Sequence, residues 1–456
     1  MRQLFVKHPH FSFIIFLCSK KFFMIKRYQH SAIEMLWNTT HRAEIWKNLE
    51  IWVAEAWNQK GLISLAELEV IQKTKVNLEE WAIREQKTHH EVAAFVDMLA
   101  AQCGLAGRWI HYGLTSNDVI DSTNHYLLRE TNKVFLQLLD SLLAVLKTRA
   151  FTEKETLMIG RTHGMFAEPI SAGYKFALWY SECKRHQAAL KNALDYIGVL
   201  KIAGPTGMHP DIPLGISEYV AQKMKMRVDY AANQLIIRDR LIAIVQTWTN
   251  LVITLEKIAI EIRNLHRSEL QEFQEDFVSG QKGSSAMPHK QNPWLSENVC
   301  GLSRIFRNLA HSIEFTNLTW HERDLTNSAI ERFSLPNLAH LLATMLTRIT
   351  KIIEGLIVNR VVIKNNLEKA KTAAFSHRVL LYLIRRHKMS REKAYFLVQK
   401  NVQLVGARKV TFQKLMEAEP VLKNNLDNEW KTLWLWKSFL QNVDNLYNHI
   451  FPKEKK

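Results

Sequence analysis

Glycine and proline are scarce in this sequence, 16 and 10 in 456 residues, and they are unevenly placed. None lies between Leu114 and Met158, between Gly215 and Gly280, or between Gly355 and Gly406. Intervals this long without a breaker exclude a turn-rich β architecture and predict long helices. Strand-like alternation bounded by turn residues is almost absent. Cysteine is rarer still: Cys18, Cys103, Cys183 and Cys300 stand far apart with no CxxC spacing. That excludes a disulfide framework and a zinc ribbon, and it suits a reducing, cytoplasmic setting. No obvious membrane span is present, since one takes about 20 apolar residues. The short run Phe11 to Cys18 is interrupted by Lys20-Lys21 and lacks a small-residue cleavage site. Residues 1–23 are therefore expected to be an extension outside the fold, or the product of an upstream start codon.

An apolar fraction of 47% with 23% charged residues excludes disordered and fibrous classes. The net charge of +17 admits nucleic acid, a membrane surface or an anionic small molecule as partner. The basic residues are scattered, apart from pairs such as Arg385-Arg386, so a local cluster binding a small anion fits better than a nucleic-acid face. No nucleic-acid or membrane partner is expected.

The apolar period is helical. Ile244, Trp248, Leu251, Leu255, Ile258, Ile262 and Leu265 step by four and three, the seam of a bundle helix. Val245, Val252, Ile253 and Ile260 widen it, which predicts burial on more than one side. The expected fold is all-α in three parts: residues 24–133 with shorter helices, 134–386 as a long central bundle, and 387–456 as a smaller helical piece. In the last part Ser390 is read as an N-cap, and Trp430, Trp434 and Trp436 as core.

Four polar islands interrupt these helices: WIHYGLTSNDVID (109–121), GRTHGMFAEP (160–169), GSSAMPHKQNP (283–293) and WHERDLTNSAIERF (320–333). Taken singly, each has an ordinary explanation. Thr115 and Ser116 can cap a helix, His163 can be a turn histidine, and Asn292-Pro293 reads as N-cap plus first-turn proline. Charged residues from Glu322 to Arg332 can form a solvated face. His89-His90-Glu91 lacks metal-ligand spacing, so no metal is expected. Taken together, the islands hold what an elimination beside carboxylates needs. Such a reaction requires a base for a weakly acidic C–H, an acid for the leaving group, and fixed donors for the charge between. Backbone N–H groups at Gly283-Ser284-Ser285 suit an oxyanion, Lys290 adds a positive charge, and His163 has the proton affinity of an acid. Gly280 and Gly283 are candidate hinges.

GSSAMPHKQNP resembles the GSSxMPxKxNP loop of the fumarase/aspartase superfamily, matching every fixed position. The PHK form narrows the resemblance to adenylosuccinate lyases and carboxymuconate cycloisomerases. RYQHSAIEMLW, HYGLTSNDVID, GRTHGMFAEP, QLIIRDR and WHERDLTNSAIER, in this order, resemble the adenylosuccinate lyase family from Met24 onward, more weakly after about residue 400.

The resemblance implies β-elimination of fumarate from adenylosuccinate and from SAICAR in purine synthesis, with no metal or organic cofactor. It implies Ser284 as base, His163 as acid and Glu297 as the carboxylate orienting that histidine. His90 and His111 correspond to two further active-site histidines. Lys290 and Asn292 would hold substrate carboxylates, with hydroxyls from Thr115 and Ser116. Arg27, Tyr28, Gln234, Arg323, Ser328 and Arg332 would bind the nucleotide, with His89, Glu91 and Asn298 also at substrate-binding positions. It further implies a homotetramer with a shared helical core and active sites drawn from three chains.

The chain departs from the family's usual Arg-His-Asp at His89-His90-Glu91. It also departs at Met165-Phe166, and at Ala203 to Gly207 where a Ser-Gly-Ala-Val-Gly type loop is common. These changes touch substrate contacts rather than the chemistry. Two alternatives remain open at this point: another superfamily member such as a carboxymuconate cycloisomerase, which has no use for the phosphate-type residues, and a non-catalytic helical protein that binds nucleic acid.

Overall fold

The computed structural model describes residues 24–452, except 279, 409 and 424. The expected extension, 1–23, lies outside the described residues. The N-terminal part holds α1 (Ser31–Trp37), α2 (Thr39–Gln59), α3 (Leu65–Gln72), α4 (Leu78–Thr88) and α5 (Glu91–Ala100). Their starts carry local capping. Asn38, Ser64 and Asn77 each accept a backbone N–H from the first turn of α2, α3 and α4.

The bundle is built from α6 (Ser116–Thr152), α7 (Ala172–Ile197), α9 (Asp239–His266), α10 (Trp294–Glu314) and α11 (Thr326–Gly355), with α8 (Leu214–Met224) lying against α2. At 1.5 Å per residue, α6 is about 55 Å long and α9 about 42 Å. The whole predicted seam of α9, Ile244 to Leu265, is buried in one core shared with α6, α7, α10 and α11. Trp248 anchors it. Its indole N–H donates to Asn132 Oδ1 at 3.0 Å, and its ring meets Phe135 edge-on at 5.0 Å. The widened seam is only half buried, however. Val245 and Val252 are covered, whereas Ile253 and Ile260 are 46% and 42% exposed in the single chain. By length and composition α9 could cross a membrane, but its apolar seam forms the middle of this bundle.

Three two-stranded sheets decorate the helices. β1 (Leu157–Thr162) pairs antiparallel with β2 (Met165–Ser171), β3 (Val199–Leu200) parallel with β4 (Arg227–Val228), and β5 (Phe273–Gln274) antiparallel with β6 (Ile357–Val358). The C-terminal part comprises α12 (Arg360–Lys369), α13 (Lys371–His387), α14 (Arg391–Arg408), α15 (Phe412–Glu417), α16 (Asn428–Leu433) and α17 (Val443–Ile450). Ser390 caps α14, accepting from Lys393 N at 3.4 Å. Trp430 is buried, and Trp434 and Trp436 pack on Phe375.

Three hydrophobic cores are present among the described residues, and their edges differ from the boundaries drawn by composition. The 133/134 boundary falls inside continuous α6. The N-terminal core reaches forward to take in Leu200 to Met226, and the C-terminal core takes in Ile159 of β1 and residues from Leu367 onward.

Candidate active site

Connectivity sorts the polar islands to opposite ends of the bundle. The starts of α6, α9 and α11 share one end, tied by a buried ionic knot. Arg238 donates to Asp121 at 2.5 and 2.9 Å and to Glu331 at 2.8 and 3.0 Å, and all three residues are buried. Burial opposes the Arg238 charge, but the two carboxylates outweigh it and raise its pKa above the ordinary arginine value. Burial would likewise raise Asp121, yet Arg238 holds it below the usual carboxylate range. Nearby, Asp118 pairs with fully buried Lys201 and accepts N–H donors from Thr115 (2.8 Å), Ala203 (2.9 Å) and Gly204 (3.2 Å).

Most of the candidate nucleotide-binding residues collect on this base. Arg323 donates to Asn117 and, at 3.0 Å, to Gln234. Burial lowers the Arg323 pKa, a strain on its charge that an anionic ligand would relieve. Glu91 bridges Arg42 at 2.6 Å and Arg332 at 2.7 Å. A narrow pocket of about 60 Å³ is lined by Arg42, Glu91, Asn117, Arg323, Ser328 and Arg332. Thr115 is the N-cap of α6 and Ser116 its first residue. His111, with φ +64°, stands 2.7 Å from Glu50 through its Nδ1. His90 is the N-cap of α5 and accepts from Ala93 N at 3.1 Å; His89, φ +51°, ends α4.

The 283–293 loop lies at the other end. α9 ends at His266, whose Nε2 is 2.9 Å from the Gln291 carbonyl. The loop is pinched shut at its neck. Asn292 Nδ2 donates to Gly283 O at 2.9 Å, and a Cβ on Gly283 would collide with the Lys290 carbonyl. Gly283 is thus a closure point rather than the expected hinge, while Gly280 does adopt φ +84°. Ser284 Oγ accepts two backbone N–H groups, from Ala286 at 3.3 Å and Met287 at 3.1 Å. These donors come from two and three residues further on in the chain.

The restart of the helix also differs. Pro293, not Asn292, is the N-cap of α10, and the capping carboxylate comes from Glu275. Glu275 accepts from Leu295 N at 3.2 Å, from Ser296 N at 2.8 Å and from the Ser296 hydroxyl. A proline at the cap has no side-chain acceptor, so the buried Glu275 supplies one. Beside the loop opens a cleft of about 800 Å³ lined by Arg263, His266, Arg267, His289, Lys290 and Glu297, with Asn292 at its edge. Asn298, next to Glu297, donates to the Tyr28 hydroxyl at 3.3 Å. Thr344 holds the Tyr28 carbonyl at 2.9 Å, Arg348 lies 5.3 Å over the Tyr28 ring, and the same guanidinium donates to the Arg27 carbonyl at 3.3 Å.

His163 stands apart from both groups. GRTHGMFAEP forms not a loop but the β1–β2 hairpin, in which Thr162 pairs with Met165 across His163 and Gly164. Both turn residues have positive φ, +53° and +78°, as a two-residue turn matched to strand twist requires. The ring is exposed at the tip. Two residues earlier, Arg161 is clamped to fully buried Glu272 by two bonds of 2.8 Å. No bond among the described residues joins His163 to Ser284, Lys290 or Glu297.

Comparison with known proteins decides the family. A lyase family model matches residues 24–306, and a model for the adenylosuccinate lyase C-terminus matches residues 373–450. The chain is 35% identical over 429 residues to adenylosuccinate lyase of Bacillus subtilis, covering 94% of this chain and 99% of that protein. The chain belongs to the adenylosuccinate lyase family. Its fold is that of solved superfamily members. A fumarate lyase from Mesorhizobium sp. BNC1 is 20% identical with a TM-score of 0.84, over 94% of this chain and 99% of that one. A 3-carboxy-cis,cis-muconate lactonizing enzyme from Pseudomonas putida is 22% identical with a TM-score of 0.83, over 93% and 96%.

The residues that brace this adenylosuccinate lyase fold beneath the polar islands were not singled out as such in the sequence. Asp121, Arg238 and Glu331 lie inside quoted motifs but carried no assigned role. Lys201 and Glu50 gave one faint signal, a charge set between apolar neighbours, whereas Glu272 and Glu275 sit in a polar stretch and gave none.

Proposed function

We propose that this enzyme eliminates fumarate from adenylosuccinate and from SAICAR, with Ser284 as base and His163 as acid. The β-proton of the succinyl group passes to Ser284 Oγ, and the electron pair is delocalised into the adjacent carboxylate. The C–N bond then breaks as His163 protonates the departing nitrogen. Two backbone donors on Ser284 Oγ support this reading, because N–H groups aimed at a hydroxyl oxygen stabilise its alkoxide. Lys290 and Asn292 hold the succinyl carboxylates beside the cleft. Gln234, Arg323, Ser328 and Arg332 take the nucleotide, with Thr115, Ser116, His90 and His111 between. Arg27 and Tyr28 add phosphate contacts. The chain's own residues suffice for these steps, so we assign it no cofactor.

One observation carries the oligomeric part of the proposal. Gln234 and Arg238 precede α9 and His266 ends it, so the nucleotide cluster and the Ser284 loop of one chain stand about 40 Å apart. A nucleotide-sized substrate cannot touch both. Sites assembled from several copies resolve this, with Ser284, His163 and the Arg323 cluster each from a different chain of a homotetramer. The half-exposed Leu178, Ile253, Ile260 and Ile305 on the bundle helices provide apolar surface for such packing. Cys103, Cys183 and Cys300 are buried and unpaired, in keeping with a cytoplasmic enzyme.

The test is an ultraviolet assay of adenylosuccinate cleavage by the wild type and by Ser284→Ala. Wild-type activity with loss of at least a thousandfold in the variant is expected, on the scale of removing a reacting group. Equal rates would remove Ser284 from its role. An inactive wild type, on both substrates and as a confirmed tetramer, would overturn the assignment.

A further inference from the structure

Glu50 lies on the buried face of α2, beside Trp46, Leu49 and Val53, and is itself only 2% exposed. A carboxylate in such company is costly unless its oxygens are satisfied. A single residue satisfies both of them. The backbone N–H of His111 donates to one oxygen at 2.8 Å, and His111 Nδ1 lies 2.7 Å from the other. His111 is a non-glycine residue in the left-handed region, at φ +64°. Residues with a side chain adopt that conformation uncommonly. The two bonds to Glu50 hold both the backbone and the ring of His111 in it. With Nδ1 committed to the carboxylate, Nε2 is left with no hydrogen-bond partner among the described residues. Thr115 and Ser116 follow four and five residues later, at the start of α6.

The charged groups facing this ring are Glu50 on α2 and Asp118 on α6, the latter already paired with Lys201. Burial works against an imidazolium here, but Glu50, helped by Asp118, outweighs it and raises the His111 pKa above its usual value. A protonated ring donates from both nitrogens.

We propose that Glu50 is a positioning residue of the elimination site: it orients His111 and holds it as a doubly protonated ring whose Nε2–H donates to an anionic oxygen of the substrate. This rests on the lyase reading above. Glu50 itself touches no reacting atom; it acts by fixing which proton His111 offers, and in what direction. The anionic oxygen belongs to either the succinyl carboxylates or the phosphate, which share the chemistry of a charged acceptor.

Glu50→Gln keeps an acceptor for the His111 backbone N–H but removes the charge, and Glu50→Asp restores the charge on a shorter arm. The full-length enzyme is assayed with adenylosuccinate from pH 6 to 9, and inhibition by fumarate and by AMP is measured separately. The alkaline limb of kcat/KM is expected to move to lower pH by about one unit in Glu50→Gln, with KM at pH 8 rising about tenfold and kcat within about threefold. Glu50→Asp should recover most of the wild-type profile. Weaker inhibition by fumarate alone would assign the contact to a carboxylate, and by AMP alone to the phosphate. An unmoved pH profile in Glu50→Gln would overturn the proposal, as would equal losses in both variants accompanied by a lowered Tm, which mark a purely structural role. Wild-type turnover is the control that separates these outcomes from failure of the lyase reading itself.

Discussion

The ion pair of Asp118 and Lys201 offers a sharp quantitative test of how this fold supports its chemistry. Both side chains are fully buried, so neither can turn to water when its partner is lost. Removing one member of such a pair typically costs about 3–5 kcal/mol. The two sides are not equivalent, however. Without Lys201, as in Lys201→Met, Asp118 keeps the backbone donors of Thr115, Ala203 and Gly204. Without the Asp118 charge, as in Asp118→Asn, the buried Lys201 ammonium faces no anion and keeps neutral acceptors alone, the amide oxygen and the Gly204 carbonyl at 3.3 Å. Asp118→Asn should therefore be the worse substitution, near the top of that range, with Lys201→Met about 1–2 kcal/mol milder. The double variant should cost less than the two single effects added together, because it leaves no buried charge unmatched. For a cooperative transition of 456 residues, 3–5 kcal/mol corresponds to roughly 3–5 °C in Tm. Urea denaturation gives the free energies and calorimetry the Tm. The chemistry should respond too, since Asp118 fixes the Thr115 amide: KM rises more than kcat falls. Single costs under about 1 kcal/mol, or strictly additive ones, would refute the reasoning.

Three further predictions follow from the site. Mixing His163→Gln with Ser284→Ala subunits, each inactive alone, should restore about a quarter of wild-type activity on random assembly, because some sites then draw both groups from intact copies; no recovery would mean that one chain supplies both. Gly283→Ala pushes a methyl into the Lys290 carbonyl and the Phe277 ring, so kcat/KM should drop roughly a hundredfold with Tm nearly unchanged, and wild-type kinetics would disprove the pinched neck. His125 is fully buried, and burial, reinforced by Arg238 and opposed by Asp121, lowers its pKa to about 4. Its folded-state pKa is thus below the unfolded value, so stability is complete above about pH 6.5 and declines toward pH 4, by roughly 3 kcal/mol in full. His125→Gln, which keeps a donor for the Ile197 carbonyl, should reduce the slope of urea stability in that window; an unchanged slope would count against the assignment.

The long helices were legible because their signals are local. A stretch free of glycine and proline, with an apolar residue every three or four positions, has few other ways to bury itself, and every seam residue of α9 is buried accordingly. The GSSAMPHKQNP loop was legible as a motif, but its internal wiring was not. Asn292 looked like a cap because it precedes a proline, whereas the carboxylate that caps α10 belongs to Glu275, far back along the chain and 20 residues before the Leu295 amide that it accepts from. The hairpin bearing His163 escaped notice because its strands are short and a bulge between Ile159 and Arg161 breaks their alternation. Ile253 and Ile260 were correctly read as apolar, yet a sequence does not say whether the surface that covers such residues belongs to the same chain. Buried charges were the hardest. Lys201 is interior only because Asp118, 83 residues away, meets it there.

α9 also has the character of a gauge. Its first turn follows the cluster built around Arg323, and its last residue steadies the loop that carries Ser284. Deleting a single residue from its middle would draw the two ends about 1.5 Å closer and turn one against the other by about 100°. Both ends could then not fit their own partners at once. The number of residues in α9 is thereby as constrained as their identity, and length changes tolerated in this protein belong in its connecting segments.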